Sequence, residues 1–113
     1  MFFISFEGCE GTGKTTQIEI LENRLKENSF DVVTIQEPGT TKLGLKIRKL
    51  LKGDLDESEK LSEVTELFMF SAARSDLISN KLHKLIKSDK IVICDRYVDS
   101  TTAYQGYGRQ LDL

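Results

Sequence analysis

The chain has 113 residues, of which 39% are apolar and 30% charged, and its net charge is −2. That length suits one small domain rather than two, and the near-neutral balance excludes a broad basic field for nucleic acid or anionic membranes. No apolar run approaches a membrane span and no basic leader precedes Glu7, so neither an anchor nor a signal peptide is expected, and the setting expected is cytoplasmic.

Phe2 to Phe6 is a short apolar run ending in a glycine-rich loop, which predicts a buried parallel strand. Ile18, Leu21 and Leu25 recur at helical spacing and predict a helix from about Lys14 to Asn28. Val32-Val33-Thr34-Ile35 is β-branched and predicts a second strand, followed by a loop at Glu37-Pro38-Gly39. Leu43, Ile47, Leu50 and Leu51 predict a short helix with a basic exposed face, ended by Gly53-Asp54. The stretch from about Ser58 to Lys87 reads as one or two helices. Ile91-Val92-Ile93-Cys94 predicts a third buried strand that ends at Asp95, and another helix is expected near Ser100. Strands alternating with helices predict an α/β fold, a parallel sheet with helices on both faces. Cys9 and Cys94 have neither CxxC spacing nor a Cys/His cluster, so they read as thiols in a reducing compartment rather than zinc ligands. His83 lies outside every motif and reads as a helix-surface residue.

Gly8-Cys9-Glu10-Gly11-Thr12-Gly13-Lys14-Thr15 fits the phosphate-loop pattern G-x-x-x-x-G-K-S/T, between a predicted strand and a predicted helix. The glycines let the backbone wrap closely around a phosphate, and successive N–H groups with the helix N-terminus then point at the anion. Lys14 should reach the β- and γ-phosphates of ATP, and the Thr15 hydroxyl should ligate Mg²⁺; Thr16 continues the ATP-binding segment. Asp95, directly after a buried strand, suits a place near the metal, or alternatively the cap of the next helix.

A phosphate loop by itself does not separate ATPase, GTPase and kinase, but the remaining motifs are more specific. The opening Phe6 to Thr16, Glu37-Pro38-Gly39, Phe70-Ser71-Ala72-Ala73-Arg74, Asp95-Arg96-Tyr97 with Ser100-Thr101, and Ala103-Tyr104-Gln105-Gly106-Tyr107-Gly108-Arg109 together resemble the thymidylate kinases, in the family's order and along the whole chain. The resemblance implies a P-loop three-layer fold of the nucleoside monophosphate kinase kind and ATP-dependent, Mg²⁺-assisted phosphorylation of dTMP to dTDP. It implies that Phe70 stacks on thymine and Arg74 donates a hydrogen bond to the base. Arg48 and Arg96 would hold the dTMP phosphate, a task that suits planar forks of donors. Glu10 would accept from the sugar 3′-hydroxyl. Thr101 and Tyr104 would line the sugar and base pocket, with Glu37, Pro38, Ser100 and Gln105 in the same dTMP site. Lys14, Asp95 and Arg96 would be the catalytic group, and Thr15 and Asp95 the metal ligands. From the residues alone, Phe70 and Tyr104 also read as core aromatics, and Arg48 as part of an ordinary basic face with Lys42, Lys46, Lys49 and Lys52.

Two positions depart from the family pattern. An arginine usually precedes Glu-Pro-Gly, where this chain has Gln36, and the usual Gly-Gly-Thr is Gly39-Thr40-Thr41. Family members continue past Leu113 with a lid and an adenine-binding loop, so residues 1–113 are expected to be the N-terminal portion of one kinase domain, weakly active or inactive alone. A homodimer is expected of the full-length protein. Another nucleoside monophosphate kinase, or a nucleotide-binding fragment without turnover, are the competing readings.

Overall fold

The computed structural model describes residues 1–8, 11–53 and 59–96. The helix expected near Ser100 and the Gly106-Tyr107-Gly108 segment lie outside the described residues.

Three strands, β1 (Phe2–Phe6), β2 (Val32–Gln36) and β3 (Ile91–Asp95), form a parallel sheet in the order β1-β3-β2. The last strand in sequence is therefore the central one. Its run of Val92, Ile93 and Cys94 is fully buried, as expected of a strand covered on both faces. Phe3 and Val33 both sit beside Val92 in register, and Ser5 and Ile35 both sit beside Cys94.

The twofold alternation of a strand sorts these residues between two helical layers. Phe3, Val33, Ile35, Val92 and Cys94 form one apolar face, onto which Leu77, Leu82 and Leu85 pack. Ile93 and Asp95 have the opposite parity, and α1 (Lys14–Glu27) lies against β2 and β3 with Ile18 buried. The fold is thus a three-layer α/β arrangement, as the alternation predicted.

Each helix has a local reason for its ends. α1 stops at Asn28, where Phe30 N–H reaches back to Leu25 O at 3.0 Å and Ser29 takes a left-handed φ of 66°. α2 (Lys42–Leu51) starts at Thr41, whose hydroxyl accepts from Gly44 N–H at 2.9 Å. α3 (Glu63–Leu77) starts at Ser62, which caps Thr65 N–H at 3.0 Å, rather than at about Ser58. The cap decides the start: a serine three residues ahead of a free N–H satisfies it, whereas apolar periodicity carries no mark of the first turn.

One π-helical turn, Ile78–Leu82, joins α3 to the short α4 (His83–Leu85). Leu77 and Leu82 are five residues apart, a spacing that would place them on different sides of an α-helix. The wider turn brings both onto the sheet, where both are buried. Among the described residues no helix is long and apolar enough to cross a membrane. His83 is exposed, as expected.

Candidate active site

The three strands end together. Phe6 and Gln36 flank Asp95 in register, and the pairing continues one residue further: Arg96 N–H donates to Phe6 O at 2.9 Å and Glu37 N–H to Asp95 O at 3.1 Å. The segments leaving all three strands therefore start side by side at the carboxyl edge of the sheet, where open α/β sheets hold their ligands.

On the α1 side lies the phosphate loop. Gly11 and Gly13 have φ of 80° and 81°, left-handed values that a side chain rarely adopts, and Gly13 is the N-cap of α1. No side chain caps that helix, which leaves its first N–H groups directed at the loop. Lys14 Nζ lies 2.6 Å from Asp95 Oδ1, with the two side chains 10% and 17% exposed. The contact is an ion pair without hydrogen-bond alignment, so the buried Asp95 Oδ1 makes no hydrogen bond. Asp95 is thus engaged with the phosphate-loop lysine. Gly8 and Thr12 approach each other across the loop, and Thr15 and Thr16 are exposed beside it.

The other side of β3 carries a second pair. Glu37 is two residues past Ile35 and shares its parity, so its carboxylate faces α3. Arg74 Nε donates to Glu37 Oε2 at 3.0 Å. Burial holds the Glu37 carboxyl above its ordinary 4.5, against the opposing pull of Arg74. Its second oxygen, Oε1, is buried without a hydrogen-bond partner. Phe70 is half-buried one helical turn before Arg74, on the same face of α3, whereas Phe68 is 68% exposed. Phe70 is therefore only partly packed, on the face of α3 that also carries Arg74.

Arg48 is separated from its lysine neighbours by the fold. Lys42, Lys46, Lys49 and Lys52 are exposed, but Arg48 is half-buried and its Nη1 donates to Pro38 O at 3.1 Å, across a Glu37–Pro38 peptide that is cis. The plain basic-face reading of Arg48 does not hold. Arg96 is a non-glycine residue with φ of 69°, a conformation that clusters at functional sites. Cys94, in the core beneath Glu37, has its thiol pushed up to about 12 by burial and then by the carboxylates of Glu37, Glu7 and Asp95. Cys9, Glu10, Ser100, Thr101, Tyr104 and Gln105 lie outside the described residues.

Sequence reasoning named the members of this site but missed two pairings, Lys14 with Asp95 and Arg74 with Glu37. Strand parity held the signal for both, since Asp95 and Glu37 fall on opposite faces once the register is known.

The model of the family described as thymidylate kinase matches residues 6–113. The chain belongs to the thymidylate kinase family. A thymidylate kinase of Dehalococcoides mccartyi is 52% identical over 111 residues, covering 98% of this chain and 52% of the relative. One from Nostoc is 46% identical over the same length. The crystal structure of thymidylate kinase from Ehrlichia chaffeensis superposes with a TM-score of 0.85 at 42% identity, covering 98% of this chain and 62% of that one. The chain spans about half the length of the curated thymidylate kinases it matches.

Proposed function

We propose that the protein carrying this chain transfers the γ-phosphoryl group of ATP to dTMP, giving dTDP and ADP. The supporting observation is the convergence, at one edge of the sheet, of a phosphate loop and a pair of held arginines: Lys14 and Asp95 on one side of β3, and Arg48 and the Glu37–Arg74 pair on the other. Family membership favours dTMP over other monophosphates.

In this reading a dTMP phosphate oxygen attacks the γ-phosphorus, the new P–O bond forms as the bond to the β-phosphate oxygen breaks, and ADP leaves. The attacking phosphate is already anionic, so no strong general base is required, and rate comes from positioning and charge neutralisation. Lys14 leaves Asp95 to meet the β- and γ-phosphates. Arg48 and Arg96 hold the acceptor phosphate, Phe70 stacks on the base, and Glu37 orients Arg74 towards it. Glu10, Pro38, Ser100, Thr101, Tyr104 and Gln105 complete the dTMP pocket.

Among the described residues no three His, Cys, Asp or Glu side chains form a metal cluster. Mg²⁺ suits such a site, because it takes one or two protein ligands and fills the rest with phosphate and water. Asp95, at the end of β3 beside the phosphate loop, and the exposed Thr15 fit that role. Bound there, the ion would offset phosphate charge. Residues Val64 and Phe68, exposed one turn apart on α3, support a homodimer as the assembly.

Thermal melts of the intact protein with dTMP, dUMP and ATP–Mg²⁺ test this reading. A ligand that binds only the folded state adds about 2.7 kcal/mol at a hundred times its dissociation constant. The expected order is a larger shift with dTMP than with dUMP, and an independent shift with ATP–Mg²⁺. Phe70→Ala is expected to weaken dTMP by about 1–3 kcal/mol, the scale of one base stack, and to spare ATP. A melt that responds to ATP–Mg²⁺ but not to dTMP overturns the choice of acceptor.

A further inference from the structure

Gln36 and Thr40, the two positions where the chain departs from the family pattern, are joined to each other and to Arg48. The Thr40 hydroxyl accepts from Gln36 N–H and donates to Gln36 O, both at 2.7 Å, closing the turn after β2 around the Gln36 backbone. With the Gln36 amide turned to set acceptor against donor, its oxygen accepts from Arg48 Nη1 at 3.1 Å and Nη2 at 3.2 Å. Pro38 O accepts from the same Nη1. The arginine stem lies across Gly39, where an added Cβ would come 3.2 Å from Arg48 Cδ.

We propose that Thr40 and Gln36 act as a positioning relay that pre-sets the Arg48 guanidinium for the phosphate of the acceptor nucleotide; the inference rests on the reading that Arg48 holds that phosphate. The chemistry of the acceptors carries it. Arg74 is paired with a carboxylate, but among the described residues none pairs with Arg48. Its partners are a neutral amide and a neutral carbonyl. These fix the plane and direction of the fork without cancelling its charge, which stays available for a phosphate. Where the family pattern has an arginine, this chain has an acceptor. The Arg48 cation is thereby held in place beforehand, which lowers the ordering cost of binding.

The test compares dTMP with thymidine, which lacks the phosphate, by calorimetry on the intact protein. Gln36→Leu keeps bulk and removes the acceptor; Thr40→Val removes the hydroxyl and Thr40→Ser keeps it. Gln36→Leu is expected to weaken dTMP about three- to tenfold, the scale of a lost hydrogen bond to a charged group that is only half-buried, and Thr40→Val, which loosens the turn that holds Gln36, to weaken it measurably but by no more than that. Thymidine affinity is expected to stay level, and Thr40→Ser to bind dTMP like the parent. In an Arg48→Ala background, Gln36→Leu should add nothing. Unchanged dTMP affinity, a parallel loss of thymidine, or a full additional loss without Arg48 each overturns the relay. A parent protein that binds another monophosphate instead of dTMP overturns the functional reading, and the same variants against that monophosphate and its nucleoside then decide the relay separately.

Discussion

At the scale of single residues, burial sets the chemistry. The Cys94 thiol is fully buried and pushed up to about 12, so it is expected to resist alkylation in the native protein at about pH 8 and to react once the chain is unfolded. Mass-spectrometric mapping of the label checks this, and native labelling at a free-thiol rate contradicts it. Glu37 carries a pH dependence. Its native carboxyl is raised above 4.5, mainly by burial, so it takes up a proton before the unfolded chain does as pH falls. The stability it contributes is full below 4.5 and is lost as pH rises through the raised value. Melts of parent and Glu37→Gln at about pH 5 and about pH 8 should therefore show the parent gaining on the variant at the lower pH. A constant difference between the two contradicts that protonation.

At the scale of elements, the start of α2 makes a prediction opposite to propensity. Replacing a helix glycine by alanine ordinarily stabilises by about 0.5–1 kcal/mol. At Gly44 the added Cβ would meet Thr41 Oγ1 at 3.0 Å and Gly39 N at 3.1 Å, pushing on the capping hydroxyl and on backbone. Gly44→Ala is expected to lower the melting temperature, and a rise would show that the loop yields. The elements also show how far the sequence was legible. β1, α1, β2, α2 and β3 fall where periodicity placed them, because each has an apolar face of unambiguous period. The stretch expected from about Ser58 to Lys87 was less readable. Its start depends on the Ser62 cap, and its π turn depends on Leu77 and Leu82 both seeking the sheet, which only the packed layers reveal.

At the scale of the whole molecule, one small core ties the layers together. Leu77 is fully buried between α3 and the sheet and joins Ile35, Leu82, Val92 and Cys94. Leu77→Ala is expected to cost about 2–5 kcal/mol through lost burial and a residual cavity. Domains are stable by only about 5–15 kcal/mol, so the denaturant midpoint should fall steeply or the cooperative transition should vanish. A shift smaller than about 1 kcal/mol would mean that the layers close over the gap.

The sequence by itself determined the alternation of strands and helices, the glycine-built phosphate loop and the family, because short-range periodicity and local motifs record those directly. Only the tertiary structure decided that β3 lies between β1 and β2, since nothing local encodes strand order. That order, with the twofold alternation of the strands, sends Asp95 to Lys14 and Glu37 to Arg74, residues 81 and 37 positions apart. The fold also separates Arg48 from the four neighbouring lysines that composition could not tell from it. The physical reason is common to all three: a side chain's partner is fixed by which face and edge it is folded onto, and the chain specifies that only when the sheet closes.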